Sequence, residues 1–96
     1  MEPCPMLMYI YTVRDSAAQL YGRPFYCVNV GHAIRGFTDQ VNSPGDGQND
    51  LFNHSDDFEL FELGTYDDEN AGFSLLEQPK PICTAKSVKK SQQQPQ

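Results

Sequence analysis

Three arginines and five tyrosines are the residues of this 96-residue chain whose types and placement could do chemistry. Arg14 and Arg23 flank one short segment with Tyr21 inside it, and Tyr9 and Tyr11 lie just upstream. Guanidinium groups pair with phosphate oxygens and aromatic rings stack on bases, the usual way of holding single-stranded nucleic acid. Arg35 falls on the polar side of a helical stripe, in reach of the anion-favouring N-terminal turn. Lys80, Lys86, Lys89 and Lys90 follow near the C-terminus. The same residues have a plainer reading, in which aromatics build the core and arginines pair with surplus carboxylates.

Catalytic patterns are missing from the sequence. It has no phosphate-binding loop, dinucleotide fingerprint, zinc-protease helix or nucleophile elbow. His32 and His54 are the only histidines and read as a solvent-facing helix residue and a loop residue. The acids Asp56, Asp57, Glu59, Glu62, Asp67, Asp68 and Glu69 lack the spacing of a calcium loop and read as solvated strand edges and a turn. Cys4, Cys27 and Cys83 are an odd number at wide spacing, which signals neither a disulfide framework nor a zinc site. No cofactor and no catalytic role are expected.

The charge pattern narrows the partners. Residues 1–78 hold three basic side chains against 13 acidic ones, a balance of −10, whereas residues 79–96 carry four lysines and no acid. An acidic body repels polyanions at long range, so any nucleic-acid contact must be local, through the lysines or an arginine cluster. The uncharged stretch Pro3 to Val13 is too short to span a bilayer and follows an acidic residue, unlike a signal peptide. The expectation is a soluble intracellular protein without membrane contact.

The elements that must position these groups are legible from periodicity. Met6 to Val13 and Pro24 to Val28 read as strands, joined by a connection in which Ala17 to Tyr21 is expected to form a helical turn. Val30, Ala33, Ile34, Phe37 and Val41 form one apolar stripe, predicting a helix over 29–42 with Asn29 as its N-cap. Residues 43–57 are a polar loop, and Phe58–Tyr66 and Phe73–Gln78 read as strands around a turn. From Pro79 the composition predicts a basic, glutamine-rich flexible tail. The order β-β-α-β-β predicts an α+β fold: a mostly antiparallel four-stranded sheet with one amphipathic helix on one face. Its other face would expose part of the set Tyr9, Tyr11, Phe25, Tyr26, Phe58, Phe61, Tyr66 and Phe73, either to a ligand or to a second copy in a homodimer.

Three ordered strings carry a resemblance. They are Tyr9 to Asp15, then Tyr21-Gly22-Arg23-Pro24-Phe25 with Asn29 and Ala33-Ile34-Arg35-Gly36-Phe37, and finally Asp57 to Asp68. Together they resemble the small nonstructural protein of gokushovirus-type microviruses, bacteriophages with circular single-stranded DNA genomes. Ser55, Gly36, the Pro-Cys-Pro start and the glutamine-rich end depart from that pattern. The resemblance implies a non-enzymatic, C-protein-like DNA-binding factor in the host cytoplasm. Such a factor associates with the replication complex and the procapsid and helps switch replication to single-stranded DNA synthesis and packaging. The implied partner is single-stranded or replicative-form DNA; the resemblance brings no binding residues with it, and the chemistry of the side chains assigns the contacts to Arg14, Arg23, Arg35 and the lysines, with tyrosines stacking on bases. The alternatives are an acidic adaptor docking on the initiator, procapsid or a host factor, and an acidic DNA mimic.

Overall fold

The computed structural model describes residues 7–90. Strand β1 (Leu7–Asp15) is built from β-branched and aromatic residues and occupies the middle of the sheet. It ends where the Asp15 carboxylate accepts the backbone N–H groups of Ala17 (3.0 Å) and Ala18 (3.3 Å). That Asx turn, with Gln19 in the left-handed region (φ 59°), reverses the chain directly into β2 (Leu20–Tyr21). A tight hairpin therefore replaces the helical turn expected over Ala17–Tyr21, because the carboxylate satisfies the amides that a helix would have used.

β2 pairs with Arg14 and Asp15, and after the Gly22-Arg23-Pro24 corner β3 (Phe25–Cys27) pairs with Tyr9 to Tyr11. Both short strands line the same edge of β1. Thr12, 1% exposed, fixes the corner between them by donating its hydroxyl to the Gly22 carbonyl at 2.9 Å. On its other side β1 pairs antiparallel with β4 (Phe58–Asp67), which pairs with β5 (Gly72–Thr84). The sheet order is β2/β3–β1–β4–β5, antiparallel throughout, as the α+β reading expected.

Helix α1 (Val30–Val41) begins with the Asn29 side chain accepting the His32 N–H at 2.9 Å. Ala33, Phe37 and Val41 are buried against Tyr11 and Leu60, while Val30, the first residue of the expected stripe, lies largely exposed ahead of the contact. Odd-numbered β1 residues face the helix: Tyr9, Tyr11 and Val13 all pack on this core. A short helix α2 (Asp50–Asn53) interrupts the polar loop. Its Leu51 joins the same core.

The largest departure from expectation lies at the C-terminal end. β5 does not stop at Gln78 but runs to Thr84, followed by helix α3 (Ala85–Val88), whose N-cap Thr84 accepts the Ser87 N–H. Ala85 is fully buried, and Ile82, Cys83 and Val88 pack on the core beside α1. Pro79 and Pro81 are accommodated because β5 is an edge strand, where a missing N–H donor need not break a ladder. Residues 79–90, expected to belong to a flexible tail, instead form the end of β5, α3 and a segment held by Asn42. The glutamine-rich residues 91–96 and the Pro-Cys-Pro start lie outside the described residues.

Candidate nucleic-acid interface

A single layer of helix covers one face of the sheet, and the register shows what the other face carries. Residues directly opposite one another in an antiparallel ladder share a face. Even-numbered β1 residues therefore define rows. Met8 aligns with Tyr66, and Tyr66 with Phe73; Ile10 aligns with Tyr26 on one side and Gly64 on the other. Arg14 aligns with Tyr21 and Glu59.

Two aromatic groups stand on this helix-free face. At one end Tyr66 lies between Tyr26 (6.0 Å between centroids, edge-to-face) and Phe73 (4.8 Å). At the other, Tyr21 meets Phe61 edge-to-face at 5.6 Å, with the Arg14 guanidinium 5.7 Å from the Tyr21 ring centre. Tyr21 and Tyr26 are each 47% exposed and Phe73 is 58% exposed. Along β1, the six-residue step from Met8 to Arg14 separates the two groups by about 20 Å. The edge-to-face pairs leave ring surface of Tyr21 and Tyr26 open to solvent.

The expected site residues fall into three sets. Arg14 and Tyr21 come together, and Arg23 is exposed two residues further on, in the corner that Thr12 anchors. Arg35 is exposed on α1, the layer that covers the opposite face, so it does not join them. Tyr9 is half-buried and Tyr11 fully buried under the helix, so neither ring is available to stack on a base. Burial together with the nearby Glu62 carboxylate pushes the Tyr11 hydroxyl up to about 12, and its oxygen has no hydrogen-bond partner among the described residues.

The lysines are dispersed in the same way. Lys80 is exposed on β5 opposite Glu62 in the register, and Lys86 is exposed on α3. Lys89 is committed internally: its Nζ donates to the Phe52 carbonyl at 2.6 Å and lies 4.0 Å from the Phe52 ring centre. Lys90 is exposed, with its backbone N–H on Asn42.

Tyr26, Phe61, Tyr66 and Phe73 belong to the aromatic set expected in part on the open face, although the expected base-stacking residues are Tyr9, Tyr11 and Tyr21 alone. Their signal is the pairing register, which links their face to Arg14 and not to Tyr11. A one-residue bulge at Leu63, between Tyr11↔Glu62 and Ile10↔Gly64, shifts that register midway along β4.

Concavities also flank the sheet. An apolar groove of about 400 Å³ lies between α1 and the β1–β3 edge, lined by Val13, Phe25, Cys27, His32, Phe37 and Leu51. Burial pushes the Cys27 thiol up, away from the reactive thiolate. An acidic cleft is lined by Asp15, Asp50, His54 and Asp57. Among the described residues no cluster of His, Cys, Asp and Glu is arranged to hold a metal ion, and no helix is long and apolar enough to cross a membrane.

Compared with family models, residues 8–88 match the one described as Phage ORF5 protein. No curated protein and no solved structure matches the chain. The matched span runs from β1 through α3, so the C-terminal strand and helix are part of what defines the match.

Proposed function

Because the chain belongs to the phage ORF5 protein family, we propose that it is a non-enzymatic phage protein that binds single-stranded DNA in the host cytoplasm. In this reading it helps switch replication to single-stranded synthesis and packaging, alongside the replication complex and procapsid. One observation carries the reading: exposed Tyr21, Tyr26 and Phe73, with Arg14, on the sheet face that no helix covers. Base–aromatic stacking is worth about 1–3 kcal/mol per base and needs no particular sequence. The resemblance to gokushovirus-type nonstructural proteins supports the same partner.

Stacking rather than charge must supply most of the affinity, since the chain has a net charge of −6. Lys89 is spent on Phe52 and Arg35 lies on the other layer, which leaves Arg14 and Arg23 as the phosphate contacts beside the exposed rings. Two contacts give a log–log salt slope of about −1.4 for a single strand. Titration of a labelled oligothymidylate by fluorescence anisotropy at several salt concentrations tests this. A shallow slope supports a stacking face; a slope several-fold steeper assigns binding to the lysines; no binding at low salt removes the DNA reading.

The acidic cleft favours a second reading. Asp15, Asp50 and Asp57 gather at one end of the sheet, and Asp56 and Glu59 line the neighbouring concavity beside Arg14. A basic surface on a replication or capsid protein would find its complement there. Absence of DNA binding in the titration, together with capture of a basic phage protein, would place this adaptor role first.

A further inference from the structure

β5 is an outer strand whose two halves are protected very differently. Its second half carries Pro79, Lys80 and Pro81, the residues that ordinarily blunt an exposed sheet edge. Its first half, Gly72–Leu76, has no charge and no proline, pairs through Gly72–Leu75 with β4 on one side only among the described residues, and exposes Phe73 (58%), Leu75 (67%) and Leu76 (42%). Open backbone groups flanked by apolar side chains are satisfied by another strand.

We propose that this half-edge pairs antiparallel with the same segment of a second copy, forming a two-fold dimer centred on Ser74. A two-fold axis perpendicular to the sheet pairs residues of like parity. Centred on Ser74, it sets Phe73 against the second copy's Leu75 and Leu75 against its Phe73. Both apolar contacts form on the face that already holds Tyr66 and Tyr26. The segment Gly72–Leu76 carries no charge, so no like charges oppose one another across the seam.

Self-pairing closes at two. The far edge of the sheet is broken into β2 and β3 by the Gly22-Arg23-Pro24 corner, so each chain offers one such segment and no fibre propagates. The seam is short, about five residues, so the dimer dissociates on dilution. It also joins the two aromatic faces into one surface, although the pairing itself does not depend on DNA binding.

Sedimentation equilibrium of the full chain, without DNA, across a wide concentration range reads the association. Leu75→Lys should leave a monomer with an unchanged melting temperature at low concentration, because Leu75 is exposed in one chain. Leu20→Lys, equally exposed on the opposite edge, should still dimerise. Ser74→Cys should cross-link to itself under mild oxidation, since directly opposed Cα atoms lie within disulfide reach, and Gln78→Cys should not. Peptide mapping separates a bridge between the two introduced thiols from bridges involving the native ones. A wild type that remains monomeric at millimolar concentration, a Leu75→Lys dimer, or equal cross-linking at 74 and 78 overturns the proposal. Neither arm touches the stacking of Tyr21, so failure here and failure to bind DNA are separable.

Discussion

Asn42, the C-cap of α1, donates its side-chain N–H to the Val88 carbonyl at 3.0 Å and accepts the Lys90 N–H at 2.7 Å through its carbonyl oxygen. It also donates to Thr38 in its own helix at 2.9 Å. One amide group thereby ends the helix and ties down the C-terminal segment 46 residues away. Asn42→Ala removes both functions and should cost about 1–3 kcal/mol. Hydrogen exchange should rise first at Lys90, whose N–H loses its acceptor.

Tyr21 and Arg35 distinguish the two layers. Tyr21→Ala should weaken single-stranded DNA binding by about 5- to 150-fold, the value of one stacked base, with little change in salt slope. Arg14→Ala should flatten the slope by about 0.7. Arg35→Ala should change neither quantity. Equal losses at all three positions would contradict a site confined to the helix-free face.

Thr12 acts on that face indirectly. Thr12→Val keeps the shape but leaves the Gly22 carbonyl without its 2.9 Å partner, at a cost of about 1 kcal/mol. The corner holding Tyr21 and Arg23 loosens, so DNA affinity should fall further than an equally destabilising change in α1 would cause. Melting temperature and affinity measured on both variants make the comparison.

Gly64 permits the close crossing of β4 and β5. Its φ is 153°, and a Cβ there would collide with the Ser74 carbonyl oxygen and lie 2.8 Å from the Leu75 Cα. The obstacle is backbone, so Gly64→Ala should force the strands apart and cost about 2–4 kcal/mol. Rings packed across those strands, Tyr66 and Phe73, should show the largest changes in their NMR shifts.

Tyr11 predicts an alkaline limit. Its hydroxyl is pushed up to about 12 in the fold, from an ordinary value of 10, so the folded state resists ionisation. Between these values the unfolded chain releases its proton and the folded chain keeps it. The Tyr11 contribution to stability is therefore fully present below about pH 10 and falls by roughly 2–3 kcal/mol as the pH approaches 12. Tyr11→Phe removes a buried oxygen that has no partner and should flatten that limb while leaving neutral-pH stability equal or slightly higher. Denaturant midpoints at pH 8 and 11 provide the check.

Local chemistry determined much of this protein without reference to its fold. The stripe Ala33–Phe37–Val41, the Asn29 cap and the β-branched run of β1 each bias their own backbone, so α1 and the strand cores were legible from residues a few positions apart. What the sequence could not show is set by contacts between distant segments. The C-terminal residues read as a flexible tail because their few apolar members, Ile82, Cys83, Ala85 and Val88, are stabilised only when α1 supplies the surface they cover. Tyr11 and Tyr26 look alike as letters; one is sealed beneath a helix and the other is open to solvent because the pairing of β1 with β3 and β4 assigns them to opposite faces. Face, in a sheet, is a property of register, and register is set by long-range pairing and by a bulge at Leu63 that no local pattern announces.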